Sequence, residues 1–140
     1  MMYKRILLAA DGSDYSLRAA EETLKIVSMM EDVTIEIVFV MDYSKAATEV
    51  LHSKNPETLE FERRQKLIPI EEMFKRAHIN HKVTMLHGDP GPAIVEYANK
   101  QNCDMVIVGS RGLNTLQEMV LGSVSHKVAK RVNCPVLIVK

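Results

Sequence analysis

Apolar positions along the chain fall into two alternating patterns. Short runs at Arg5 to Ala10, Thr34 to Met41, Lys82 to Leu86, Met105 to Val108 and Val136 to Val139 read as strands. Between them, apolar residues recur at helical spacing: Leu17, Ala20, Leu24 and Val27; Leu67, Ile70, Phe74 and Ala77; Ile94, Tyr97 and Ala98; and Val124, Val128 and Val132. The order is therefore βαβαβαβαβ. Alternation of this kind needs crossover connections, which makes the strands parallel with helices on both faces. The near-continuous apolar character of the first, fourth and fifth runs agrees with helices on both faces. The expected fold class is α/β: an open, doubly wound, Rossmann-like parallel sheet of five strands.

Local signals place the ends of these elements. Ser13 or Asp14 can cap the first helix, Asp89-Pro90 can open the third, and Cys134-Pro135 separates the last helix from the last strand. The charged stretch Glu57 to Lys66 reads as a largely solvated helix, with Glu60–Arg64 and Glu62–Lys66 at supporting i,i+4 spacing. Two connections are long, Asp42 to Pro56 and Gly109 to Leu121, and long loops in compact domains are usually functional or disordered. No repeat, low-complexity tract or composition shift marks a second domain, so residues 1–140 are expected to form one domain.

Composition narrows the function classes. The chain has 140 residues, 46% of them hydrophobic, and 18 Lys+Arg balance 18 Asp+Glu. A domain of this size buries roughly 68–70% of its unfolded surface, enough for stability without disulfides or a structural metal. Neutral charge removes any global attraction to nucleic acid or acidic membranes and leaves local anion sites. Cys103 and Cys134 form no C-x-x-C, which favours a reduced compartment. The apolar run Ile6 to Ala10 stops at Asp11, too short for a signal segment, and no stretch approaches a membrane span. A cytoplasmic protein without membrane or nucleic-acid partners is expected. His52, His78, His81, His87 and His126 lack metal-ligand spacing and suit surface or turn positions. The methionines suit core filling.

Ligands of an open α/β sheet bind beyond the carboxyl ends of the strands, where strand order reverses. Those ends carry Ala9-Ala10-Asp11-Gly12-Ser13, Val40-Met41-Asp42, His87-Gly88-Asp89 and Gly109-Ser110-Arg111-Gly112, with a helix opening near Gly122-Ser123-Val124-Ser125. Glycine admits a bulky anion close to the backbone, and a helix start points N–H groups at negative charge. The pattern reads as a phosphate cradle without a lysine, with Arg111 as its cation. For single glycines the plainer reading is a turn or a cap; their joint position beyond a strand favours the cradle. Asp11 either contacts ligand or makes an Asx turn.

Gly109-x-x-Gly112, nine residues, then Gly122-Ser123 resembles the nucleotide-binding signature of the universal stress protein family, ATP-binding class. Lys4 to Ser13, Gly88-Asp89-Pro90 with Ile94, and Asn133 to Val139 resemble the family's opening strand and turn, third junction and closing strand. The resemblance covers essentially the whole chain and implies a sheet of the adenine nucleotide alpha hydrolase-like kind. It implies that Asp11 and the backbones of Ala9 and Val40 face adenine and ribose; at Ala9 many nucleotide-binding members have proline. Gly109, Ser110, Arg111 and Gly112, with the backbone through Leu113 and Asn114, would hold ribose and first phosphate. Gly122, Ser123, Val124 and Ser125 would hold the outer phosphates, with Mg2+ or Mn2+ carried by the phosphates and no protein ligand assigned. It also places the last strand at a sheet edge, where a homodimer would form.

No Walker A lysine, G-x-S-x-G elbow, H-E-x-x-H or S-G-G-x-D-S loop is present, and no residue is assigned as catalytic. The expected function is an ATP-binding stress-response or regulatory module with slow or no hydrolysis. The alternatives are a weak ATP hydrolase or phosphotransferase using Asp11 or Ser123, and a nucleotide-free structural dimer or adaptor.

Overall fold

A computed structural model describes residues 3–42, 55–111 and 122–140. Among these residues ten elements follow in chain order: β1 (Arg5–Ala9), α1 (Asp14–Val27), β2 (Thr34–Met41), α2 (Pro56–Gln65), α3 (Ile68–Arg76), β3 (Asn80–His87), α4 (Pro90–Lys100), β4 (Met105–Gly109), α5 (Ser123–Arg131) and β5 (Val136–Val139). The strands form one parallel sheet in the order β3-β2-β1-β4-β5. The chain runs outward from β1 to β3 on one side and then returns past β1 to lay down β4 and β5. Strand order reverses between β1 and β4.

Side chains of each strand alternate between two cores. On one face Ile6, Leu8, Ile35, Ile37 and Ile107 pack with Ala19, Ala20 and Val27 of α1 and Ile70 and Phe74 of α3. On the other, Leu7, Val38, Val106 and Val108 pack with Ile94 and Ala98 of α4 and Val128 of α5. The three central strands are thus covered on both sides, as the unbroken apolar runs of β1 and β4 require, whereas β5, equally apolar, lies at the sheet edge and is only half-buried.

Strand boundaries differ from the sequence pattern: β1 stops at Ala9, one residue short, and β4 takes in Gly109. β3 extends to Asn80 and His87 because all eight of its residues keep register with β2, from Asn80↔Thr34 to His87↔Met41. Backbone pairing continues there under polar side chains that no apolar run announces. In the described part of the β2-to-β3 crossover, the charged stretch and the apolar period after it form separate helices, α2 and α3, as their patterns indicate. Asn55 caps α2, its Oδ1 accepting from Thr58 N at 2.7 Å, and α2 buries Leu59 against Met41 and Met85. Glu60 of α2 meets His87 Nε2 at 3.1 Å, and Arg64 meets Glu71 Oε1 of α3 at 3.3 Å, so these polar contacts tie α2 to its neighbours.

One buried carboxylate breaks the apolar rule. Glu36 in β2 is 4% exposed. It accepts from Thr84 Oγ1 at 2.6 Å and from Tyr97 OH, with Arg5 Nη2 at 3.6 Å and Lys82 Nζ at 3.8 Å. Burial and the bond to Glu36 push the Tyr97 phenol up. The pairing joins β1, β2, β3 and α4 near the amino ends of the strands, away from the crevice.

Candidate functional site

The strand-order reversal puts the loops after β1 and β4 side by side, which is where an open α/β sheet leaves its crevice. After β1, Asp11 makes an Asx turn: its Oδ1 accepts from Ser13 N at 2.9 Å. Gly12 follows with φ +84°, a conformation that favours glycine. Ser13 then caps α1, its Oγ accepting from Ser16 N at 3.2 Å. The turn role weighed for Asp11 is therefore realised, and its exposed position keeps it at the crevice rim.

The β1–β2 register ends at Ala9↔Val38, with one further bond from Ala10 N to Val38 O at 2.9 Å, while β2 continues to Met41. The main chain of Val40 consequently lies beyond its β1 neighbour, on the crevice side. Ala9 is placed differently. Its methyl is buried in the α4/α5 core and its backbone sits within both ladders of β1.

Gly109 ends β4 in a crowded place. A Cβ there would lie 2.9 Å from Tyr15 Cβ and 3.1 Å from the Tyr15 carbonyl carbon and oxygen. This glycine lets the first turn of α1 close on the sheet, a packing role that glycine spacing alone did not disclose. Ser110 N donates to Val139 O at 2.7 Å, joining the loop to the end of β5. Arg111 is half-buried, its Nη1 donating to Tyr15 OH at 3.3 Å. Gly112, Leu113 and Asn114 lie outside the described residues.

The chain returns at Gly122, whose N donates to Ser110 O at 2.8 Å. A Cβ at Gly122 would stand 3.3 Å from both Ser110 O and Arg111 Cα. Ser125, 2% exposed, donates its hydroxyl to Gly109 O at 2.5 Å, so it clasps α5 to the end of β4. Ser123 is exposed and Val124 half-buried. The start of α5 is thus pinned from both sides against β4.

Helix starts at the carboxyl edge of the sheet are not equivalent. In α1 a side chain satisfies the first turn. In α4 the residues at the first and third helical positions, Pro90 and Pro92, carry no N–H. In α5 the cap is Gly122 with no side-chain acceptor, and the first i→i−4 bond is His126 N to Gly122 O at 2.9 Å. The N–H groups of Ser123, Val124 and Ser125 precede that bond, and N–H groups at a helix start of this kind suit an anion. A phosphate fits this donor set. Among the described residues no three His, Cys, Asp or Glu side chains are grouped to hold a metal ion, and no helix is long and apolar enough to cross a membrane.

The sequence reading did not single out Tyr15. Besides packing on Gly109, its ring lies under the Arg18 guanidinium, 4.5 Å from carbon to centroid, with Arg111 at 5.9 Å. Its one signal was an aromatic residue in the first turn after the Asp-Gly-Ser turn.

Comparison with known proteins agrees with this architecture. Universal stress protein MJ0531 of Methanocaldococcus jannaschii is 33% identical over 142 residues, spanning 99% of this chain and 83% of that protein. The solved structure of MJ0577, a universal stress protein of the same organism, superposes with TM-score 0.87 at 29% identity, covering 100% of this chain and 97% of that one. A universal stress protein solved in complex with cAMP superposes with TM-score 0.73 at 27% identity, covering 100% of this chain and 98% of that one. The universal stress protein family matches residues 2–140, and the chain belongs to that family.

Proposed function

We propose that the protein binds an adenine nucleotide, ATP with Mg2+ foremost, in the crevice between the β1 and β4 loops, and that it works as a nucleotide-dependent stress-response or regulatory module in the cytoplasm. The observation that carries the reading is the uncapped start of α5, held to β4 by Gly122 N to Ser110 O and Ser125 Oγ to Gly109 O. Three N–H groups are preorganised there for phosphate, so binding loses little to loop ordering. A relative solved with cAMP supports the adenine class. Val40 would offer main chain to the base, with the nearby crevice rim at Asp11 facing the ribose. Magnesium would add charge neutralisation at the phosphates. Turnover is expected to be slow or absent, since phosphoryl transfer needs a residue that orients the nucleophile, and none is assigned.

Micromolar affinity, about −8 kcal/mol, lies within reach of such a donor set. At about 100 times the dissociation constant, ligand adds roughly 2.7 kcal/mol to stability. Thermal melts with millimolar ATP, ADP, AMP or cAMP should rise by several degrees. No shift with any of them refutes the reading.

A homodimer through β5 belongs to the same proposal. β5 has one hydrogen-bonded neighbour, β4, and Val139 O is committed to Ser110 N as Pro135 O is to Val106 N. Alternation then turns the main-chain groups of Val136 and Ile138 to the open edge, which pairing across a two-fold axis would satisfy. Ile138→Pro deletes an outward N–H and spares the β4 ladder. Light scattering should find a wild-type dimer at tens of micromolar and a monomeric variant; a monomeric wild type with and without ATP defeats the assembly.

A further inference from the structure

Beyond the donors of the α5 start, the loop after β4 carries a cation, Arg111, in contact with an aromatic side chain outside the loop. We infer that Tyr15 is a positioning residue for Arg111, and that through it the site distinguishes phosphorylated from unphosphorylated adenine ligands. The inference rests on the nucleotide reading above and deepens it.

Tyr15 occupies the second position of α1, and its main chain is pressed against Gly109 so closely that a Cβ there would stand 3.1 Å from the Tyr15 carbonyl. The ring is therefore mounted on the junction of two fixed elements. Arg111 reaches this ring with its guanidinium carbon 5.9 Å from the centroid and Nη1 3.3 Å from the hydroxyl oxygen. Arg18 lies closer, at 4.5 Å, and is itself held by Nε donating to Lys140 O at 3.0 Å. Two guanidinium groups thus share one ring beside the cradle in a chain whose formal charge is zero.

That arrangement has a chemical consequence. An arginine side chain loses rotamer freedom when it is fixed on a ligand. A ring that restrains Arg111 beforehand lowers this loss, and the second cation nearby raises the potential felt by an anion. Both effects act on phosphate charge and neither acts on a neutral nucleoside. Tyr15 should therefore set the ratio of ATP to adenosine affinity and leave adenosine affinity alone.

The test is calorimetric titration of the full chain with Mg-ATP and with adenosine for wild type, Tyr15→Phe, Tyr15→Leu, Arg111→Gln and the Tyr15→Leu/Arg111→Gln double variant, with melting temperatures taken without ligand. Tyr15→Phe removes one hydroxyl and keeps the packing on Gly109, so it remains informative if Tyr15→Leu fails to fold. The ATP-to-adenosine affinity ratio should fall about threefold in Tyr15→Phe and about tenfold in Tyr15→Leu and Arg111→Gln, the size of one lost hydrogen bond or cation–π contact. The double variant should lose no more than Arg111→Gln alone. Tyr15 variants that keep the wild-type ratio, or weaken ATP and adenosine equally, overturn the assignment while the nucleotide reading stands; so does an additive double variant. A wild type that binds neither ligand overturns both.

Discussion

Gly109→Ala tests whether the close approach of α1 to β4 is a constraint on this fold or a tolerance. The added Cβ would sit 2.9 Å from Tyr15 Cβ and 3.1 Å from Tyr15 C and O, against a favourable carbon–carbon separation of about 3.5–4.0 Å. None of those atoms belongs to a flexible side-chain end. Tyr15 lies in the first turn of a helix anchored by a buried cap, Ser13 at 6% exposure, and Gly109 ends a strand that lies between β1 and β5. Relief requires moving helix against sheet by about half an ångström or more, and overpacking of this kind costs about 1–3 kcal/mol. A buried methyl returns up to about 0.8 kcal/mol, and replacing glycine in a strand returns up to about 1 kcal/mol more. The net expectation is a loss of about 1 kcal/mol, or roughly 3–5 °C in melting temperature for a domain of this size. Urea unfolding followed by circular dichroism suits a chain without tryptophan. Gly122→Ala is the control, because its 3.3 Å contacts require shifts of only a few tenths of an ångström. If Gly109→Ala unfolds at or above the wild-type midpoint, the packing argument is wrong.

Three further outcomes are expected. Gly122→Val places branched carbon against Ser110 O and Arg111 Cα at the mouth of the cradle, so calorimetry should show ATP affinity falling at least about tenfold while the melting temperature falls by only a few degrees; unchanged affinity would contradict the cradle. Asp104 accepts from Lys4 N at 2.8 Å and Arg5 N at 2.9 Å, and these backbone donors hold its carboxyl below the ordinary 3.8. A depressed folded pKa stabilises above the unfolded value and is lost as pH falls through the folded one. Asp104→Asn should accordingly lose less stability than wild type between pH 5 and pH 2, and parallel acid limbs would count against the pairing. Burial pushes the Cys103 thiol from 9.0 up to about 11. Alkylation by iodoacetamide at pH 8 should be at least about tenfold slower in the native protein than in urea, and stability should decline as pH rises from 9 to 11, because only the unfolded thiol ionises in that window.

The sheet was legible because its strands are covered on both faces and so cannot alternate. Ile6 to Ala9 and Val106 to Val108 bury every side chain, and a run of that kind between helical periods has few other uses. β3 was legible only in its middle. At the edge of the sheet its end residues Asn80 and His87 pair through backbone alone, and backbone pairing leaves no mark on side-chain type. Glu36 shows the same gap from the other direction: a carboxylate inside a strand reads as an exposed position until Thr84, Tyr97, Arg5 and Lys82, from three other elements, are found around it. No spacing rule connects those positions.

In the site, what could be read was backbone chemistry and what could not was tertiary contact. Asp11-Gly12-Ser13 and Gly122-Ser123 have local consequences, an Asx turn with positive φ and an uncapped helix start, and both occur where the residue types required. Gly109 and Ser125 looked alike on paper as cradle members, yet each has a second employment that depends on a partner far away in the chain. Gly109 makes room for Tyr15, and Ser125 spends its hydroxyl proton on Gly109 O. These contacts fix the distance between β4 and the start of α5, and a helix start can hold an anion at a fixed place only if that distance is fixed. Residues that shape the cradle and residues that would touch the ligand are therefore partly the same, so substitutions at Gly109 and Ser125 should change stability and affinity together, whereas substitution at exposed Ser123 should change affinity alone.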